Sequence, residues 1–256
     1  MIATIYILPF AFDASVDNPW DGRRTVDLMV HGATPFNEQH VRKLHEYLEP
    51  FWSLARVGGL AGTLVAPWLS TCKEPRITVQ RGKARFQFEP CLLDEGATHC
   101  LICLLIALHD EIPLEHVILS TSGGAYRPVS HDPKLLDPYP RLWGDVPFRC
   151  ELADSESEDV VLRLQFAAPL ITRQAATIYE DLMRWGSAAA AGAFGIAQIE
   201  PRSCDCLPVN PLEHYEGEVI WAIEKCRFHY AALRSLVAVC ATIHHRAGTI
   251  LDLSIE

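Results

Sequence analysis

The amino-acid sequence can be laid over itself. Sliding the chain by 134 residues without a gap places Val26, Leu28 and Val30 on Val160, Leu162 and Leu164, keeping apolar positions two apart in register. The match continues with Pro35 on Pro169, Leu44 on Ile178, Leu48 on Leu182, Ser53 on Ser187, Ala55 on Ala189, Gly58 on Gly192 and Leu60 on Phe194. After a connection of different length the slide becomes 135. Phe88 then falls on Ile223, Glu89 on Glu224, Leu101 on Leu236, Leu104 on Val239 and His109 on His244. Such self-similarity constrains the fold strongly, because both halves must then build the same arrangement of elements.

Each copy predicts the same order of elements. Residues 25–31 alternate like a strand, and residues 36–56 place Phe36, Val41, Leu44, Leu48, Trp52 and Ala55 at a helical period. Thr34 and Pro35 fit the cap and first-turn positions of that helix, and Pro50 is expected to kink it. A short strand at 64–68, a hairpin of 76–80 with 84–89 around Arg81-Gly82-Lys83, a buried helix at 95–109 and a strand at 117–119 complete the copy. The second copy reads as a strand at 160–166, a helix at 172–190, strands at 195–199 and 219–223, a helix at 228–245 and a strand at 249–255.

This β-α-β-β-α-β order is the split βαβ pattern. The expected fold class is therefore α+β: two tandem ferredoxin-like units from an internal duplication, with mostly antiparallel sheets and helices on one face. Leading strands at 2–10 and 147–152 are expected to add an edge strand to each copy. Residues 1–125 form the first expected unit and 147–256 the second. Between them, 126–146 form a connector holding Pro128, Pro133, Pro138 and Pro140.

Charge narrows the partners. The net charge is −10, with 11 basic and 14 acidic residues up to position 128 and 11 against 18 after it. Nucleic acids and anionic membranes select Lys and Arg, so neither is an expected partner, and the field of the chain favours basic proteins instead. The longest apolar run, 100–108, is about half the roughly 20 residues that cross a bilayer. The opening MIATIYILPF holds no Lys or Arg, and the nine cysteines are odd in number and irregularly spaced. Together these set the expectation of a cytoplasmic chain with reduced thiols and no membrane association.

Motifs for chemistry are weak. Cys100 and Cys103, with His99, sit in the most apolar helix and are read as core. Cys204, Cys206 and His214 lie in a Pro-containing loop, where three donors at uneven spacing stay below a zinc signature and leave open whether a metal binds. His40 and His45 point to different sides of their helix, and His244-His245 stand at a helix end that suits cationic imidazoles. Ser130-His131-Asp132 are neighbours in sequence, which says nothing of a spatial triad. Gly58-Gly59 and Gly192 read as helix terminators. No catalytic residue, metal or cofactor is assigned.

The charge feature with a direction is the acidic set Asp154, Glu156, Glu158, Asp159, Glu213 and Glu216, with Glu218 beside it and Trp143 as an aromatic anchor. Trp20 and Tyr139 are further anchor candidates or, equally, lids over the core. The expected function is that of a non-catalytic protein-binding protein, a bacterial immunity protein neutralising a cognate toxin through this acidic surface. The alternative is a small-molecule enzyme or ligand-binding protein using the groove between the two repeats. The oligomeric state is left open.

Overall fold

In the computed structural model, described for residues 8–15, 19–20, 24–61, 72–122, 146–152, 160–194, 213–223 and 230–256, four helices combine with two mostly antiparallel sheets. The chain is a mixed α+β protein. Strand β1 (Ala11–Ala14) is followed by β2 (Val26–Gly32), α1 (Glu38–Arg56), β3 (Arg76–Gln80), β4 (Lys83–Phe88), α2 (Glu95–Glu111) and β5 (Leu114–Thr121). Strand β6 (Arg149–Leu152) then leads to β7 (Val160–Phe166), α3 (Thr172–Ala190), β8 (Glu213–Tyr215), β9 (Glu218–Ile223), α4 (Tyr230–Arg246) and β10 (Ile250–Ile255).

The first sheet has the order β1-β5-β2-β4-β3 and the second β6-β10-β7-β9-β8. Position for position, the orders correspond. β1 runs parallel to β5 and β6 parallel to β10, while every other pairing is antiparallel. Of the leading strand expected at 2–10, residues 2–7 lie outside the described residues, and β1 itself begins at Ala11. The strands expected at 64–68 and 195–199 lie outside the described residues.

Helix α1 starts at Glu38 rather than at the Thr34-Pro35 cap. Asn37 supplies the better cap: its side-chain oxygen accepts from the His40 N–H at 2.8 Å, while His40 Nδ1 faces the Asn37 N–H at 3.4 Å. Pro50 lies inside the helix, where it removes one donor but does not end it. Both α1 and α3 finish in a Schellman motif. Gly58 (φ +80°) and Gly59 donate to the Ala55 and Leu54 carbonyls, and Gly192 (φ +85°) and Ala193 to those of Ala189 and Ala188.

Trp20 is fully buried. Its ring meets Phe51 and Phe88 at centroid distances of 5.3 and 5.5 Å, and its Nε1–H donates to Thr98 Oγ1 at 3.0 Å. It is a core residue, with the polar tip satisfied as burial requires. In the second half Trp185 packs edge-on against Trp221 at 5.9 Å and donates to the Ala232 carbonyl. Helix α1 packs against α2 and α3, and α3 against α4. Lys43 pairs with Glu111 at 3.7 Å between α1 and α2, and the buried Asp181 accepts from Arg246 at 3.3 Å between α3 and α4. Asp94, the N-cap of α2, meets Arg234 of α4 across the halves. No helix among the described residues is long and apolar enough to cross a membrane.

Candidate partner-binding surface

Alternation along the strands divides each sheet into a face packed on helices and an open face. In the first sheet Val26, Leu28, Val30, Phe86, Phe88, Val117 and Leu119 are buried. Their neighbours on the other face include Arg76, Lys83, Arg85, Asp13, Asp27, His31 and His116. Register places His31 opposite Lys83 and His116, and Met29 opposite Arg85 and Ile118. Arg85 Nε donates to Asp27 Oδ1 at 2.9 Å. Three cationic side chains stand here against Asp13 and Asp27, with the exposed Glu115 also within electrostatic reach of His31.

The corresponding face of the second sheet is acidic. Leu162, Leu164, Val219, Trp221, Ile223 and Leu253 turn inward, and the open face presents Glu151, Glu218, Asp252 and Glu256 with Arg149 and Arg163. Arg149 pairs with Asp252 and lies 3.6 Å from Glu151, while Arg163 reaches Glu218 at 4.0 Å and Glu256 at 3.7 Å. Two guanidinium groups thus serve four carboxylates. Exposed pairs of this kind contribute only about 0–1 kcal/mol each to stability, so their main consequence is the potential they leave on the face.

Of the acidic residues singled out from sequence, Glu213, Glu216 and Glu218 lie among the described residues. Asp154, Glu156, Glu158 and Asp159 lie between β6 and β7, outside the described residues, as does Trp143. Glu213 is the first residue of β8, opposite Ile220, and Glu216 is exposed in the turn between β8 and β9. Asp159 directly precedes Val160 at one end of β7, whereas the Phe166 N–H at the other end donates to the Gly217 carbonyl beside Glu216. Glu151, Asp252 and Glu256, which the sequence reading missed, belong to the described open face itself.

Histidines mark a second feature, on the first sheet. His116 Nε2 lies 2.7 Å from Asp13 Oδ2, and the His31 and His116 ring centroids are 5.6 Å apart. His31 Nε2 is buried without a hydrogen-bond partner. Burial first, then the charges of Lys83 and His116, hold the His31 imidazole below its ordinary pKa. A shallow cavity of about 720 Å³ opens at this end of the sheet, lined by Leu8, Pro9, Phe10, Ala33, Leu114 and Glu115 among others. It belongs to the first half alone. At the junction of the halves Gly59 is closely packed: a Cβ there would lie 2.3 Å from Leu54 Cδ1 and 3.0 Å from Ser235 Oγ.

The helix-end histidines tie strands to helices. The Leu114 N–H donates to His109 Nδ1 at 3.1 Å and the Ile250 N–H to His244 Nδ1 at 3.0 Å. Phe10 lies 5.9 Å from His109 and Phe148 lies 5.8 Å from His244. In each half, therefore, a histidine near the helix end holds the backbone at the start of the closing strand. Cys100, Cys103 and His99 are buried in α2, with Cys103 Sγ 3.7 Å from His99 Nε2. Cys204 and Cys206 lie outside the described residues, and His214 is in β8. Among the described residues no group of three or more His, Cys, Asp or Glu is placed to hold a metal ion. No protein-family model matches the chain, and no curated protein is significantly similar to it in sequence.

Proposed function

We propose that this chain is a non-catalytic protein-binding protein that engages a basic protein on the open face of its second sheet, and that it serves as a cytoplasmic immunity protein neutralising a cognate toxin. The carrying observation is the contrast between two sheets of corresponding strand order: one open face holds cations and carboxylates in near balance, the other an excess of carboxylates. Opposed potentials raise association rates and orient the encounter. An acidic face also suits the cationic groove of an enzyme that handles a polyanion.

The reading includes a body made of two ferredoxin-like copies, residues 1–125 and 147–256, joined by 126–146. Three paired features support it: the corresponding strand orders, the Schellman ends at Gly58 and Gly192, and the His109–Phe10 and His244–Phe148 contacts at the closing strands. In this reading the copies have kept their interior pattern while the charge of their open faces diverged.

Affinity capture with three forms of the chain tests the proposal: the natural sequence, Glu151→Lys with Glu218→Lys, and Arg76→Glu with Lys83→Glu. The expected result is a stoichiometric basic companion held by the natural chain and by the first-sheet variant, and lost by the second-sheet variant. A companion that all three hold equally, or that only the first-sheet variant loses, contradicts it.

A further inference from the structure

Two thiols meet at the base of the β3–β4 hairpin. The ladder pairs Gln80 with Lys83 at the turn and Arg76 with Gln87 at its open end. Counting four residues outward from Arg76 reaches Cys72, and four from Gln87 reaches Cys91. The segments that leave the open end of the ladder thus carry one cysteine each at equal distance from it, and both cysteines turn into the core there rather than onto the exposed face of Arg76. Lys73 Nζ and Glu89 Oε2, 2.8 Å apart, hold the two chain segments together at that level.

Both cysteines are buried, and their thiols are in hydrogen-bond contact with each other. The Cys72 thiol donates to the Lys73 carbonyl at 3.4 Å, and the contact between the two thiols lowers the pKa of Cys91 and raises that of Cys72. This separates an attacking thiol from a resolving one. Elsewhere burial works the other way: it holds Cys100 and Cys240 well above the ordinary thiol range and pushes Cys150 up to about 11. Access comes from the fold, since β3 is an edge strand whose alternate residues are exposed, and an edge hairpin is among the first elements to open locally.

We propose that Cys72 and Cys91 form a redox site, converted to an intramolecular disulfide by a low-molecular-weight disulfide of the glutathione class. The Cys91 thiolate attacks one sulfur of that oxidant, forming a mixed disulfide and expelling a first thiolate. Cys72 releases its proton to water and attacks the Cys91 sulfur, expelling a second thiolate and closing the Cys72–Cys91 bond. Two electrons leave the protein, and the oxidant ends as two thiols, each taking up a proton. The new bond closes the loop from 72 to 91 and clamps the edge of the first sheet, which raises Tm by about 5–10 °C.

The full chain is equilibrated with mixtures of reduced and oxidised glutathione, quenched in acid, alkylated and mapped by mass spectrometry. The expected product has lost two hydrogens, carries a peptide joining Cys72 to Cys91, and melts higher than the reduced form. Cys72→Ser is expected to accumulate one glutathione on Cys91, whereas Cys91→Ser gains neither link nor adduct. A chain that stays reduced in excess oxidised glutathione, or one whose link maps to another pair such as Cys150 and Cys240, overturns the proposal. Mapping of the natural chain decides this even where a variant fails to fold. Equal glutathione uptake by the two variants overturns the assigned order of attack.

Discussion

Arg234 and Asp94 join α4 to the cap of α2, and removing one partner is expected to be costly. Their side chains are only 12% and 11% exposed, and burial pulls the Arg234 guanidinium down to about 10. Asp94 divides its oxygens: Oδ1 accepts from the Ala97 N–H at 3.2 Å, and Oδ2 faces Arg234. Arg234→Ala leaves a carboxylate with half its partners in a place water scarcely reaches. Breaking a buried pair from one side costs about 3–5 kcal/mol, and the surviving Ala97 bond sets the expectation near 3. For a chain of this size that lowers Tm by about 6–12 °C. Asp94→Ser keeps a capping oxygen but removes the charge, so the double variant is expected to be more stable than the sum of the single losses predicts, by more than about 1 kcal/mol. Urea denaturation of the four proteins measures this directly. Strict additivity, or an Arg234→Ala loss below about 1 kcal/mol, would refute the account of this junction.

Three further outcomes follow from local geometry. Gly192→Ala places a Cβ in open space at φ +85°, so its cost is backbone strain alone, about 1 kcal/mol, seen as a Tm lower by about 2–4 °C. Trp20→Phe keeps most of the ring contacts but leaves Thr98 Oγ1 without the indole donor, and a denaturation midpoint showing a loss of about 1–3 kcal/mol is expected. His31 is held below its ordinary pKa of 6.5, so between that value and its folded pKa the unfolded chain binds more protons. Its contribution to stability is therefore complete above 6.5 and declines as pH falls through that window. His31→Gln is expected to lose less stability than the natural chain between pH 7.5 and 5.5; equal losses contradict this.

Local signals were legible wherever a residue's chemistry fixes its neighbourhood. Alternation at 26–30 and 160–164, the helical spacing through Leu44 and Leu48, and the glycines ending α1 and α3 each correspond to an element with matching burial. The Arg81-Gly82 turn is another case: both residues have positive φ, as a two-residue hairpin turn requires. The first turn of α1 was misplaced because Thr34 and Asn37 are both capping types, and only the His40 contact selects Asn37. Long-range relations were less accessible. Whether Asp252 and Glu151 share a face with Glu218 depends on registers between strands far apart in sequence, and the Arg234–Asp94 pair depends on how the halves pack. The Cys72–Cys91 relation was within reach, since the two cysteines are equidistant from the Arg81-Gly82 turn, but a search for metal spacings does not count outward from turns.

The most direct test of the central claim is the association rate between this chain and the basic protein it retains, followed by stopped-flow across a range of ionic strengths. Glu151→Lys with Glu218→Lys reverses two charges on the open face of the second sheet. The account predicts an association rate about tenfold or more below that of the natural chain at low salt, with a flatter dependence on ionic strength. Arg76→Glu with Lys83→Glu is predicted to leave the rate the same or raise it. Unchanged rates and salt slopes for the second-sheet variant, or no basic companion to measure against, would contradict the account.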